Sequence, residues 1–142
     1  MLRALVVDDE PGFCLSLAEV LRLEGWSALT ASTCSEAILE LAKDAVDVLF
    51  VDVNLPDGSG LSLLSRKDLP SVVVTGDPSL SLVDEALRLG ARDCLAKPVD
   101  RLRVRMALAG LARERRLQQE IGRLQAEIAG LREARLRERG TR

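Results

Sequence analysis

The sequence predicts an α/β fold: a five-stranded parallel sheet with helices on both faces, followed by one long helix. Two observations carry this. Apolar runs of strand type recur at residues 2–7 (LRALVV), 26–31 (WSALTA), 46–51 (VDVLFV), 71–75 (SVVVT) and 93–96 (DCLA), with helically spaced apolar residues between them. The central runs are apolar throughout rather than alternating, as strands read when both sheet faces are covered.

Each element has its own signal. The first run ends in Asp8-Asp9, and the helix after it places Phe13, Leu17, Val20 and Leu21 on one face. Gly25 closes that helix, as Gly90 closes a later one, because a left-handed C-terminal cap favours glycine. The second helix places Ala37, Ile38 and Leu41 on one face. The third run stops at Asp52 and gives way to Pro56-Asp57-Gly58-Ser59-Gly60, a turn leading to a short third helix with Leu61 and Leu64. Asp57 stands near that helix start as a cap should, and so does Ser79 for the fourth helix, which carries Leu82, Ala86 and Leu89. The fifth run precedes Lys97-Pro98, a bond that admits the cis form. Asp100 is placed to cap a helix running to about Arg135.

The bulk composition bounds the rest. The 142 residues suffice for one domain with an extension, and with aromatics at 2% the core must be built from Leu, Val, Ile and Ala. Cys14, Cys34 and Cys94 are too few and scattered for a disulfide framework. With no Cys-x-x-Cys and no His, they do not suggest zinc either. Acids at position 8 interrupt any signal-peptide apolar region, and no apolar run is long enough to span a membrane. A cytoplasmic protein with no membrane segment is expected. The net charge of −2 conceals an acidic portion, residues 1–100, and an arginine-rich portion, residues 101–142.

Ligands of parallel α/β sheets bind beyond the carboxyl ends of the strands. Asp8, Asp9, Asp52, Thr75 and Lys97 all fall at or just past such ends. Two carboxylates about 4 Å apart repel by roughly 4 kcal/mol at an effective dielectric near 20. A hard divalent cation relieves that repulsion, and Mg²⁺ takes one or two carboxylates together with water and phosphate oxygens. A carboxylate can itself be the nucleophile for phosphoryl transfer, forming an aspartyl phosphate. Asp52 suits that role, with the metal, the Thr75 hydroxyl and the Lys97 ammonium each taking a phosphoryl oxygen. Gly76 leaves room for the group to enter.

Over about residues 1–120 the sequence closely resembles the receiver domain of two-component response regulators. The matching residues are Asp8-Asp9-Glu10, Asp52 with Leu55-Pro56-Asp57-Gly58-Ser59-Gly60, Thr75-Gly76, Gly90-Ala91 and Lys97-Pro98. The resemblance implies a flavodoxin-like (CheY-like) strand order 2-1-3-4-5 and phosphorylation of Asp52 by a sensor histidine kinase. It also implies Mg²⁺ held by Asp9, Asp52 and the Asn54 backbone carbonyl, with Asp8 assisting through water. On that basis the chain accepts a phosphoryl group and is not an enzyme. In the family, the positions of Asn54 and Asp77 influence hydrolysis of the aspartyl phosphate, although Asp77 also reads as a helix cap. One departure stands out: receivers usually carry Tyr or Phe where this chain has Cys94. Cysteine there reads as a small packing residue or, alternatively, a redox-sensitive thiol. Any switch then runs through Thr75, the loop after it and the fourth helix.

Beyond a receiver of residues 1–100 and its fifth helix at 101–116, residues 117–142 form a basic extension. Leu117, Ile121, Leu124, Ile128 and Leu131 alternate at spacings of four and three, with Ile at a and Leu at d, the pattern of a parallel two-stranded coiled coil. Glu127 at g can meet Arg132 at e of a second copy, so a homodimer is expected. A single helix packed on its own domain is the alternative. The arginines are spread around the helix and read as a solvated face, not a DNA contact. A receiver whose last helix continues as a dimerising coil resembles the N-terminal part of nitrogen-regulator-type activators, where it controls a sigma-54-interacting output in transcription activation. No G-x-x-x-x-G-K-[ST] loop occurs, so any output domain is expected outside this chain. Two other readings compete. One is a receiver-like dimerisation scaffold independent of phosphorylation. The other is a haloacid-dehalogenase-type phosphatase, which needs a second acid where this chain has Asn54.

Overall fold

The computed structural model describes residues 2–65 and 69–140. The chain divides into two units, residues 1–107 and 108–142. In the first unit, strands β1 (Arg3–Val7), β2 (Ser27–Ala31) and β3 (Val48–Val51) are followed by a small hairpin, β4 (Asn54–Leu55) and β5 (Gly58–Ser59), and then by β6 (Ser71–Thr75) and β7 (Asp93–Ala96). The hairpin stands apart. The other five strands form one parallel sheet in the order β2-β1-β3-β6-β7. Counting only those five, this is the expected order 2-1-3-4-5.

The apolar strands divide their side chains between two covered faces, as period-two alternation requires. Leu5, Val7, Leu49, Val51 and Val73 cluster with Ala37 of α2 (Cys34–Lys43) and Ala86 of α3 (Leu80–Arg88). The alternate residues Ala4, Val6, Val48, Phe50, Val72 and Val74 are at most 1% exposed. Helix α1 (Pro11–Leu23) packs on β1 and β2 through Cys14, Leu17, Ala18 and Leu21. Burying each Val, Leu or Phe is worth about 1.5–3 kcal/mol, so the sheet core dominates stability.

Most end signals act as the sequence predicts. Thr33 caps α2 by accepting from the Glu36 N–H, and Ser79 caps α3 by accepting from that of Leu82. Asp100 accepts from the Arg103 N–H at the start of α4 (Arg101–Gly140). Gly25 and Gly90 have φ of 87° and 104°, and the Lys97–Pro98 bond is cis.

Three expectations change. The third helix is one 3-10 turn, Gly60–Leu63, and the residues that would extend it, 66–68, lie outside the described ones. Pro70, just before β6, disfavours helix at the residue before it. Asp57 does not cap that turn, because Ser59 accepts from the Leu61 N–H there, and the Asp57 carboxylate reaches α2 instead. Asp77 is not a cap either, since Ser79 takes that position.

At the start of α4, Glu24 receives Arg101 at 2.7 Å and Arg105 at 3.1 Å. In the second unit, every described residue from Arg115 onward is exposed. No described helix is long and apolar enough to cross a membrane.

The tightest steric demand lies beside β3. A Cβ on Gly60 would strike the Asp52 main-chain carbonyl oxygen and come within 2.7 Å of Val51 Cγ2. Gly60→Ala should therefore lower stability by about 1–3 kcal/mol, as overpacked sites do. That loss would be read as a lower urea midpoint at unchanged slope; an unmoved midpoint would contradict so close an approach.

Candidate functional site

Register alone brings the first two acids together. Val7 of β1 lies opposite Val51 of β3, so Asp8 and Asp52 leave adjacent strands side by side. The Asp52 N–H donates to the Val7 carbonyl at 2.9 Å, and the Asp8 N–H donates to that of Ala31 at 3.0 Å. On the other side, Thr75 lies opposite Ala96, and the Lys97 N–H donates to the Thr75 carbonyl at 2.8 Å. Among the described residues, Asp8, Asp52, Ser71 and Thr75 are the buried polar ones. Three of these four stand at the carboxyl edge of the sheet, where the sequence places its site.

Lys97 reaches back across this edge. Its Nζ lies 2.6 Å from Asp8 Oδ2, 3.3 Å from Asp52 Oδ2 and 3.3 Å from Glu10 Oε1. The lysine side chain is 13% exposed and lies over the Phe13 ring, 4.3 Å from its centroid. A cation on an aromatic face gains electrostatic attraction that strengthens as water is excluded. Burial disfavours the charged form of Lys97, but Asp8, Asp52 and Glu10 outweigh it and raise its pKa above the ordinary value. Burial raises the pKa of Asp52, Lys97 opposes that rise, and Asp8 adds to it.

The ligand oxygens of Asp8, Glu10 and Asp52 all lie within 4.8 Å of one another. This set differs from the expected Asp8, Asp9 and Asp52. Asp9 is exposed and lies outside the group, because the chain turns immediately after Asp8. The Glu10 N–H donates to Asp8 Oδ1 at 2.9 Å, an Asx-type turn that returns Glu10 to the cluster. Asp8 Oδ2 is buried and paired with the Lys97 ammonium at 2.6 Å. A buried carboxylate oxygen in that condition retains capacity for a cation, and the all-oxygen donor set suits a hard one.

The remaining expected residues lie around this centre. Thr75 is buried, and its hydroxyl oxygen accepts from the Asp77 N–H at 3.2 Å. Asn54 is exposed and opens the hairpin two residues beyond Asp52. A Cβ on Gly76 would meet no atom within 4 Å, so the space there does not require glycine. Cys94 is half-buried against the apolar cluster, and burial followed by the Asp93 charge raises its thiol pKa. That environment favours a packing residue over a reactive thiolate. Glu10 and Phe13 are the site neighbours that sequence reasoning left unassigned. Glu10 was visible only as part of the acidic motif, and Phe13 only as a member of an apolar helix face.

Comparison with known proteins agrees with this geometry. The family model described as response regulator receiver domain matches residues 4–109. The chain is 36% identical over 118 residues to the response regulator protein PilR of Pseudomonas aeruginosa, covering 80% of this chain and 26% of PilR. It is 30% identical over 131 residues to the alginate biosynthesis transcriptional regulatory protein AlgB of Pseudomonas putida, covering 89% of this chain and 29% of AlgB. The chain thus spans less than a third of either relative. Among solved structures, a Burkholderia pseudomallei response regulator protein crystallised with a phosphorylated aspartic acid, calcium ion and citrate is similar with a TM-score of 0.72. That match has 29% identity and covers 84% of this chain and 73% of the other. With most of its length matched by the family model and its acids, threonine and lysine on one sheet edge, this chain belongs to the response regulator receiver domain family.

Proposed function

We propose that the chain is a phospho-accepting module in which Asp52 takes a phosphoryl group from a sensor histidine kinase in a Mg²⁺-dependent reaction. The observation carrying this reading is the Lys97 ammonium held within 2.6–3.3 Å of Asp8, Glu10 and Asp52 at the carboxyl edge of the sheet. The solved relative with a phosphorylated aspartic acid and a calcium ion supports it. Asp8, Asp52 and the Asn54 backbone carbonyl would hold the metal, with Asp9 or Glu10 completing the acidic side. The ion would neutralise the carboxylates and the phosphoryl oxygens.

The chain's own residues supply the remaining functions. Asp52 presents a carboxylate oxygen as nucleophile. Lys97 and Thr75 bind phosphoryl oxygens, and the main-chain bond from Lys97 to Thr75 keeps those two groups in step. Phe13 shields one side of the ammonium. We read the chain as an acceptor and not as a turnover enzyme, because Asn54 stands where a haloacid-dehalogenase-type phosphatase carries its second acid. A cytoplasmic location follows from the same reading.

The second unit is proposed to join two copies. Leu117, Ile121, Leu124, Ile128 and Leu131 are 44–67% exposed on α4, an apolar seam with heptad spacing. A parallel second copy covers that seam and pairs Glu127 with Arg132 of the partner. Phosphorylation of Asp52 would then control the dimer and an output outside this chain. The similarity to AlgB, a transcriptional regulatory protein, supports transcription regulation as that output, and activation of the sigma-54 type is inferred from the architecture of a receiver whose last helix continues as a coil.

Two measurements test these readings. Beryllofluoride, a phosphoryl mimic, should bind wild type in the presence of Mg²⁺ and not bind Asp52→Asn; equal responses would overturn the acceptor role. For the coil, Ile121→Glu or Leu124→Glu should shift sedimentation from dimer to monomer, since each buried layer contributes about 1.5–3 kcal/mol per side chain. An unchanged mass would return the helix to its own chain.

A further inference from the structure

We propose that Asp57 is a positioning residue for the acceptor loop, tying the tip of the β4–β5 hairpin to the N-terminus of α2. This inference rests on the reading of Asp52 as phosphoryl acceptor. The Asp57 carboxylate accepts from the Cys34 N–H at 2.8 Å through Oδ1. Through Oδ2 it accepts from the Ser35 N–H at 3.0 Å and the Ser35 hydroxyl at 2.8 Å. Beside it, the Cys34 thiol approaches the Ser59 carbonyl at 3.7 Å.

The hairpin needs such an anchor. It contains two residue pairs, Asn54 with Ser59 and Leu55 with Gly58, and an isolated two-stranded hairpin is marginal in water. Its root is continuous with the site, since the Gly60 N–H donates to the Val53 carbonyl at 2.8 Å and Gly60 packs against the Asp52 carbonyl. Its first strand carries Asn54. A tip free to move would carry Asn54 and the Asp52 main chain with it.

Helix α2 has a cap of its own beside Asp57, which takes only the first two helical N–H groups, Cys34 and Ser35. Thr33 accepts from the Glu36 N–H at 3.0 Å, and Glu36 accepts from the N–H of Ser32, one residue before the cap, at 2.8 Å, an arrangement close to a capping box. Apart from the Cys34 thiol on the Ser59 carbonyl, the hairpin also has local side-chain hydrogen bonds within the segment from Ser59 to Ser62. Losing Asp57 would therefore release the hairpin tip while α2 keeps its Thr33 cap, although the Cys34 and Ser35 N–H groups would lose this acceptor. A carboxylate at a helix N-terminus is also electrostatically favoured. Hydrogen bonds from Cys34 and Ser35 lower the Asp57 pKa to about 2. With its folded pKa below the unfolded one, the tie is fully present at neutral pH and is lost only as pH falls toward that value.

The test uses the full chain and four proteins: wild type, Asp57→Ala, Asp57→Asn and Thr33→Ala. The readout is the beryllofluoride concentration for half-saturation at fixed Mg²⁺, with thermal midpoints measured in parallel. Asp57→Ala should weaken binding about tenfold or more, in the range typical of lost supporting contacts around a metal site. Asp57→Asn keeps a carbonyl acceptor and should recover most of that loss. Thr33→Ala removes the local cap of the same helix, lowering the thermal midpoint while binding like wild type. Equal weakening in Asp57→Ala and Thr33→Ala, or wild-type binding in Asp57→Ala, would overturn the inference and leave the acceptor role standing. No binding by wild type would overturn both.

Discussion

One ammonium set against several carboxylates is the interaction on which the rest of this molecule depends. Asp8 and Asp52 are buried side by side because adjacent parallel strands end there, and Glu10 folds back onto them. Left unpaired, such charges in a low-dielectric edge would cost several kcal/mol. Lys97 supplies the counter-charge from the far side of the sheet, with Phe13 beneath it. The same arrangement that permits the fold also leaves a place where a cation and an anionic group can share the load with the lysine.

Everything around this edge serves to fix it. The apolar strands set the register to one residue, and a slip would turn the acids to the wrong face. Gly60 lets the returning chain touch the Asp52 main chain, and Asp57 secures the hairpin that continues from it. Strand β7 ends where its successor residue can span to the acids. Helix α4 begins at a capped turn held by Glu24 and carries the chain into a unit whose apolar seam is open. The proposed phosphoryl chemistry at the sheet edge and the proposed assembly along the helix thus lie in one continuous polypeptide, although in separate units.

Much of this was legible in the sequence because its signals were local. Short apolar runs of strand type located all five sheet strands, and acids or a threonine at their ends located the edge. The Ile and Leu spacing of α4 was equally plain. Contacts between residues distant in sequence were harder to read. Asp57 looked like the cap of its own turn, yet it serves a helix 22 and 23 residues earlier. Phe13 had the spacing of a core residue, and its position over Lys97 exists only once α1 and β7 are both in place. Asp9 and Glu10 could not be ranked, since the turn that exposes one and returns the other depends on a side-chain hydrogen bond from Asp8. The short third helix expected around Leu61 and Leu64 is a single 3-10 turn, Gly60–Leu63.

The balance of charge at the sheet edge can be tested directly by comparing thermal unfolding of wild type and Lys97→Ala as Mg²⁺ is added. Without the lysine, Asp8 and Asp52 stay buried with no counter-charge, so the variant should melt several degrees lower in metal-free buffer. Mg²⁺ should then raise its midpoint more than that of wild type, because the ion replaces the missing ammonium. Equal midpoints in metal-free buffer, with an identical response to Mg²⁺, would show that Lys97 does not hold the acids together.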